Sequence, residues 1–462
     1  MPEPWAIAGV DLHLDLAGRN RRCGLERALR EAIQSGRLRP GTRLPSSRAL
    51  AADLGIARNT VADAFGQLVA EGWLVAQTGS GTRVSNRAIA SDVVRPERGP
   101  ARVLPYSLMP GTPDLSAFPR SAWLAAARRA LIAAPSEALG YSDPRGRPEL
   151  RDALAGYLAR TRGVRTTSER IVVCTGFMQG LALLSTTLTT SGPATLVVEA
   201  FGHRVYRDAA EARGVRVRTV PIDGEGAVLD GLGPADAVLL TPAHQYPIGV
   251  TLSAHRRRQV VEWAAAGNRL VIEDDYDGEF RYDRQPIGAV QPLAPEQVVY
   301  AGTASKTLVP GLRLGWLVLP DRLVEPVSAA RLLADHAGNT LDQLTMAEFI
   351  SSGAYDRHIR RCRLAYRRRR DRLTNHLREH APGARVTGDA SGLHVLVQLA
   401  DGVSEAEAIA RAAERGLAVQ GLAEYATTES HAPALVIGFA APAEHAFTGA
   451  IGRLSAALTA TR

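Results

Sequence analysis

Lysine is almost missing from this chain: of its 55 basic residues 54 are arginine and one, Lys306, is lysine. A guanidinium keeps its proton in a protein, whereas a primary amine can lose it and condense with a carbonyl. The scarcity therefore singles out Lys306 as an imine-forming residue, the alternative being a chance survivor of a drift toward arginine. Cysteine is scarce too. Cys23, Cys174 and Cys362 lie far apart, which excludes a disulfide framework and a clustered metal site, so no metal is expected and all three read as buried thiols. No apolar run reaches the roughly 20 residues a membrane helix needs. Met1 to Val10 has no basic flank ahead of an apolar stretch, so no secretory signal is read there and the protein is expected in the cytoplasm.

What is present is an ordinary globular composition, 45% hydrophobic and 22% charged over 462 residues, with room for two or three domains. The net charge is +8, and residues 1–105 hold 15 arginines against 10 acids, a concentration of positive charge in the first quarter.

That quarter has the punctuation of short helices. Leu25, Ala28, Leu29, Ala32 and Ile33 recur at helical spacing until Gly36. After the turn-forming Pro40-Gly41 and Pro45, Ser46 or Ser47 can cap a second short helix that Gly55 stops. Arg58-Asn59-Thr60 then opens a third, with the stripe Val61, Ala64, Phe65, Leu68 and Val69. Trp73 to Ala76, the glycine turn Gly79-Ser80-Gly81 and Thr82-Arg83-Val84 read as a hairpin. Three helices and a hairpin make a winged helix-turn-helix, expected over residues 1–85. In such a unit the third helix enters the major groove, where Arg58, Asn59 and Thr60 could reach base edges while Ser47, Arg48, Thr82 and Arg83 contact the backbone. A helical hairpin used for protein contact is the alternative.

The run Gly36 to Ala51, with Arg58-Asn59-Thr60-Val61 and Gly79-Ser80-Gly81-Thr82, resembles the DNA-binding domain of the GntR family of bacterial regulators. The resemblance implies a dimer on double-stranded DNA with paired half-sites. Residues 86–105, rich in alanine, arginine and proline without periodicity, read as a linker to the remaining 106–462.

Beyond the linker five continuous apolar runs, Arg170–Cys174, Ala194–Glu199, Ala237–Thr241, Leu270–Glu273 and Gln297–Tyr300, read as strands buried on both faces of an α/β sheet. Ligands gather at the carboxyl ends of such strands. There stand Thr175-Gly176-Phe177-Met178-Gln179, Phe201-Gly202-His203, His244-Gln245-Tyr246-Pro247, Asp274-Asp275-Tyr276 and Gly302 to Trp316 around the lysine. A helix opening at Gly176 offers N–H groups to a phosphate, Phe201 or His203 offers a ring to stack on a flat cofactor, and a strand-end carboxylate can hold a ring nitrogen protonated. With one lysine, the set describes a pyridoxal phosphate pocket.

The region resembles fold-type I aminotransferases through Tyr141 to Gly146, Thr175-Gly176, Glu273 to Tyr276, and Ser305-Lys306 through Leu312-Arg313. The resemblance implies a large α/β domain on a mixed, mostly parallel sheet and a small C-terminal α+β domain. It also implies roles: Lys306 carries the cofactor as a Schiff base, Asp274 faces the pyridinium nitrogen and Tyr276 the phenolic oxygen. Arg313, Thr303, Ser305 and the Gly176-Phe177-Met178 backbone hold the phosphate, His203 and Tyr246 join the cofactor contacts, and Tyr141 reaches a neighbouring subunit's phosphate in a homodimer. A winged helix fused to such a domain is the architecture of the MocR-type subgroup of GntR regulators.

Catalytic relatives place an arginine just before a Gly-Phe-Ala-like segment to clamp the substrate carboxylate; here Leu435-Val436-Ile437-Gly438-Phe439-Ala440 has none. The expectation is therefore a non-enzymatic regulator that takes pyridoxal phosphate as effector, and the resemblance to the subgroup, some of whose members control vitamin B6 synthesis, implies that role here. The alternatives are a working aminotransferase, or a regulator whose cofactor receives an amino acid such as γ-aminobutyrate. The arginines at 360, 361, 363, 367 to 370 and 372 fall on a helical pattern anchored by Ile359, Cys362, Tyr366 and Leu373. They read as a solvated face, with an auxiliary DNA phosphate contact as the minority option.

Overall fold

The computed structural model describes residues 21–77, 81–85, 104–282, 287–427 and 431–459. They divide into two units, 1–101 and 102–462.

In the first unit helix α1 (Arg21–Gln34) buries the predicted Leu25, Ala28, Leu29, Ala32 and Ile33. Cys23 corrects the reading of three buried thiols: it sits in the first turn of α1 and is exposed, whereas Cys174 and Cys362 are buried. Helix α2 (Ser47–Leu54) is capped by Ser46, whose hydroxyl accepts the Ala49 N–H at 3.2 Å, and it ends at Gly55 in the left-handed region, φ 64°, which a β-carbon would strain. Helix α3 (Arg58–Ala70) buries Val61, Ala64, Phe65 and Leu68, while Val69 is half-buried. Strands β1 (Leu74–Gln77) and β2 (Gly81–Val84) pair antiparallel with Leu74 opposite Val84. Those two side chains close the core formed by the three helices. At about 1.5–3 kcal/mol for each large apolar side chain buried, this one cluster is the main stabiliser of the unit. Gly79 and Ser80 of the expected turn, and all but the last two residues of the expected linker 86–105, lie outside the described residues.

The second unit is built on a seven-stranded sheet. In chain order its strands are β3 (Ile171–Cys174), β4 (Ala194–Glu199), β5 (Val215–Val220), β6 (Ala237–Leu240), β7 (Leu270–Asp275), β8 (Val298–Thr303) and β9 (Gly315–Val318). In space the order is β3-β9-β8-β7-β6-β4-β5, with β9 antiparallel to both neighbours and the other described pairs parallel. All five expected strands are present. The two not foreseen are β5, an edge strand whose Val-Arg-Val-Arg alternation hides it among surface patterns, and β9, concealed inside the lysine stretch. Alternate residues pack on opposite faces. Ile171, Val173, Tyr300 and Trp316 meet the helix Pro148–Arg162 on one face, and Val172, Cys174, Leu196 and Leu317 meet helix α4 (Phe177–Thr189) on the other.

A smaller antiparallel sheet holds β10 (Arg385–Thr387), β11 (His394–Gln398), β12 (Gln420–Gly421) and β13 (Ala434–Gly438) in the order β10-β11-β13-β12. Helix α5 (Ala354–His380) and the helix Glu444–Thr459 cover it through Tyr366, Leu373, Leu377, Phe447 and Leu454. This is the expected α+β part. Because β3, β4 and β6 to β8 run the same way, their carboxyl ends share one edge of the large sheet, and the site forms there.

Candidate functional site

The residues expected to face DNA stand at helix starts and on the wing of the first unit. Arg58 and Asn59 are exposed at the N-terminus of α3 and Thr60 is half-buried beside them. Ser46 supplies the cap of α2, so the half-buried Ser47 hydroxyl is left out of the capping bond, and Arg48 next to it is exposed. On the wing Thr82 and Arg83 are half-buried, and Arg83 directs Nη1 to the Gly41 carbonyl at 3.0 Å, which ties the wing to the turn before α2. One basic residue was missed: a β-carbon on Gly81 would lie 3.3 Å from Nε of Arg43, so that guanidinium lies against the start of β2.

In the second unit the strand ends converge on a cleft of about 710 Å³, open to solvent, lined by Lys306, Asp274, Tyr276, Tyr246, His203 and Phe201 among others. Lys306 Nζ donates to the Gly111 carbonyl at 2.5 Å. Burial lowers its proton affinity, with Asp274 and Asp277 acting in the opposite sense, so the amine is held closer to its neutral, nucleophilic form. Asp274, 5% exposed, is pushed well above the usual carboxylate range by burial and then by Asp275. Among the described residues it has no hydrogen-bond partner. A buried carboxyl aimed into a cleft with nothing to bind is the donor-set feature that a protonated ring nitrogen would satisfy.

Tyr276 Oη donates to the His244 carbonyl at 2.9 Å and lies 3.1 Å from His244 Nδ1, which is 2.9 Å from Asp277 Oδ2. The tyrosine hydroxyl is thus fixed by an Asp-His pair buried behind it. His203 and Tyr246 stack at 4.5 Å and 21°; burial, and then Lys306, lower the His203 pKa to about 4, so it presents a neutral ring. Of the two stacking candidates both line the cleft.

The phosphate end is equally local. Gly176, φ 94°, caps α4 without a side-chain bond, which leaves the first N–H groups of the helix free. A β-carbon at Gly176 would sit 3.4 Å from Nη1 of Arg313, so glycine keeps the guanidinium against the helix start. Arg313 is itself in the left-handed region, φ 49°, a conformation unusual for a residue with a side chain and typical of functional sites. Thr303 Oγ1 lies 3.0 Å from Ser305 Oγ and accepts the Ser305 N–H at 3.1 Å. Free N–H groups, a guanidinium and two hydroxyls fit a phosphate, and with Asp274 and Lys306 the residues present fit pyridoxal phosphate. Tyr141 stands apart: it is 94% exposed with its ring 5.0 Å from His336, and it does not line the cleft of its own chain.

Sequence reasoning missed Gly111, Tyr206, Arg207 and His394 on the cleft wall and the role of His244 and Asp277. His244 lies inside a quoted motif and Asp277 adjoins one, so both were findable there; Gly111 stands 195 residues from Lys306 and gave no local signal. Where an arginine clamp would be expected, Val436 and Ile437 are fully buried, and Val436 packs with Tyr246 and Tyr425.

An aminotransferase-like effector unit on the same chain as a winged helix is the build of a one-component transcriptional regulator. Residues 111–436 match the model of aminotransferase class I and II, and residues 24–84 match that of bacterial regulatory proteins of the gntR family. The chain is 33% identical to the HTH-type pyridoxine biosynthesis transcriptional regulator PdxR of Corynebacterium glutamicum over 94% of this chain and 95% of that one. It is 31% identical to the probable rhizopine catabolism regulatory protein MocR of Rhizobium meliloti over 76% of each. The fold matches Pyrococcus horikoshii kynurenine aminotransferase, solved in complex with PMP, at a TM-score of 0.70 and 24% identity over 80% of this chain and 97% of that one. The protein belongs to the GntR family of bacterial regulators, within its MocR-type subgroup.

Proposed function

We propose that this regulator senses pyridoxal phosphate, held covalently at Lys306, and controls genes of vitamin B6 synthesis without performing transamination. The observation that carries the reading is a buried Lys306 and an unpartnered, buried Asp274 lining one cleft, with the apolar Val436 and Ile437 where a clamp would be expected. The likeness to a named pyridoxine biosynthesis regulator supports the target genes.

When bound, the cofactor supplies an aldehyde that condenses with a primary amine. The chain does the rest. Lys306, with its ammonium form disfavoured by burial, would offer the amine; Asp274 would face the ring nitrogen; Tyr276, held beside His244 and Asp277, would turn its hydroxyl from the His244 carbonyl to the phenolic oxygen. The Gly176 helix start, Arg313, Thr303 and Ser305 would hold the phosphate. Two such chains form the homodimer that paired half-sites require, with Tyr141 of each directed to the other. Occupancy biases operator affinity if the two arrangements of the dimer differ in cofactor affinity.

A second reading, an amino acid as co-effector, draws on Arg207, a half-buried cation at the cleft wall that could take a carboxylate. The test for both is to titrate pyridoxal phosphate into the protein while following absorption and operator affinity, then to add amino acids. We expect a borohydride-trappable adduct in the native chain, none in Lys306→Arg, and operator affinity that changes with the cofactor alone. Operator binding indifferent to pyridoxal phosphate, or multiple turnovers with an amino acid, would overturn the proposal.

A further inference from the structure

Helix α5 carries ten arginines against three acids, an excess of seven in one 27-residue helix, where the whole chain has an excess of eight. Residues 1–105 carry a further excess of five, so the rest of the chain is net acidic. Positive charge is thus concentrated in two places, and only one of them is the winged helix.

The arginines of α5 are sorted by the helix. The inner stripe, Tyr355, Ile359, Cys362, Tyr366, Leu373 and Leu377, is apolar apart from His358 and Arg369, and the opposite face is exposed with Arg360, Arg361, Arg363, Arg367 and Arg368 along it. Among the described residues none of those five is in an ion pair. Arg360 and Arg363 use one N–H each on backbone carbonyls, of Asp356 and Glu279 respectively, which orients the guanidinium and leaves its charge uncompensated. They open onto a cleft of about 1040 Å³ between α5, the helix Pro148–Arg162 and the loop Gly278–Arg281, which Arg160, Arg162 and Arg281 also line, Arg162 being buried and paired with Asp275 at 2.6 Å. Its acids are engaged: Asp356 pairs with Arg160 at 2.8 Å, and Glu279, buried, accepts the Tyr157 hydroxyl at 3.2 Å.

Solubility alone does not account for this. A solvated helix mixes both signs, and like charges at three- and four-residue spacing destabilise it by a few tenths of a kcal/mol per pair. An extended polyanion repays that repulsion. From Arg360 to Arg372 the helix advances about 18 Å at 1.5 Å per residue, which is about five base-pair steps of duplex axis at 3.4 Å each.

We propose that the exposed face of α5 and the adjoining arginine cleft form a second DNA contact of this regulator, gripping the backbone of duplex flanking the half-sites read by α3, without regard to its sequence. The proposal rests on the DNA-binding role of the winged helix and is independent of which effector the cleft around Lys306 takes.

The test uses the full chain. Arg360, Arg363, Arg367 and Arg368 are replaced together by Gln, and a control variant loses the exposed Arg213, Arg216, Arg218 and Arg258 in the same way. Binding is measured by anisotropy across a salt series on a short duplex limited to the half-sites and on a longer one extended at both ends. On the long duplex the α5 variant should bind more weakly, with a log–log salt slope shallower by about 2 to 4, since each lost phosphate contact removes about 0.9. On the short duplex it should match the native chain, and the control should match on both. Unchanged affinity and slope on the long duplex overturn the proposal, as does an equal loss on the two duplexes or an equal loss in the control. Loss of half-site binding by the native chain itself would instead refute the underlying reading of α3.

Discussion

Arg369 is the one buried arginine of the basic helix, and replacing it is expected to destabilise the fold where replacing its exposed neighbours does not. Its side chain is 3% exposed, and four of its bonds are set: Nη2 to Asp114 Oδ2 at 2.8 Å, Nη1 to the carbonyls of Ala440 at 2.9 Å and Pro442 at 2.8 Å, and Nε to Glu444 Oε2 at 3.0 Å. It fastens the segment entering the large sheet to the end of the small one. The Glu444 bond matters little, because that carboxylate is two-thirds exposed. Asp114 is different, at 7% exposure. An Arg369→Met change keeps much of the volume but strands that carboxylate and two carbonyls, a cost of about 3–5 kcal/mol. With an unfolding entropy of about 2.1 cal/mol/K per residue over the unit Arg102–Arg462, the melting temperature should fall by about 4–7 °C. Adding Asp114→Asn to Arg369→Met should recover about 1–3 kcal/mol by removing the stranded charge. The measurement is thermal unfolding of the four proteins of this cycle. A drop below about 1 °C, or strictly additive losses, would show that the Arg369–Asp114 pair does not link the two segments.

Three other outcomes follow from the same geometry. Burial lifts Glu199 to about 7 from its ordinary 4.5. As pH rises through that window the unfolded chain ionises first, so cofactor-free stability should decline by on the order of 3 kcal/mol from this group and level off above it; Glu199→Gln should flatten that part of a denaturant-versus-pH series, and an unchanged slope would refute the assignment. Asp277→Asn should lower the midpoint of the absorption–pH titration of the cofactor-loaded protein by on the order of one unit, by removing a negative charge behind Tyr276; an unmoved midpoint would mean that the His244 bridge does not reach the cofactor. Asn59→Ala should relax base preference at a single operator position by about 1–3 kcal/mol, and Arg48→Ala should weaken all sequences alike, which a saturation binding screen distinguishes.

What could be read in the sequence is what is written locally. Apolar spacing placed α1 to α3 within a residue or two, and continuous runs placed five of the seven large-sheet strands, because a strand buried on both faces has no choice of residue. β5 escaped because an edge strand is half solvent and its Val-Arg alternation matches no buried pattern. Lys306, Asp274 and Tyr276 were legible through composition and strand-end position. Gly111 and His394, by contrast, come from segments that meet Lys306 only after the whole unit closes. Cys23 was misjudged because burial of a thiol depends on which side of α1 it falls, and it lies in the first turn, ahead of the buried stripe.

The cleft that remains argues for a particular division of labour. An enzyme must bind its cofactor and also hold a substrate carboxylate still, and the second task needs a fixed cation opposite the lysine. On β13 the positions where one would be expected are Val436 and Ile437, and Val436 lies in a patch with Tyr246 and Tyr425 behind the cleft. Refilling it by Val436→Arg would bury a guanidinium among aromatic rings at a cost of several kcal/mol unless a ligand carboxylate entered with it. The substitution should therefore lower melting temperature in the empty protein, and amino acids should restore part of the loss if the cleft still accepts them. If the variant is destabilised and no amino acid rescues it, the cleft holds no amino-acid carboxylate at this position, the outcome the proposed sensing of pyridoxal phosphate alone requires.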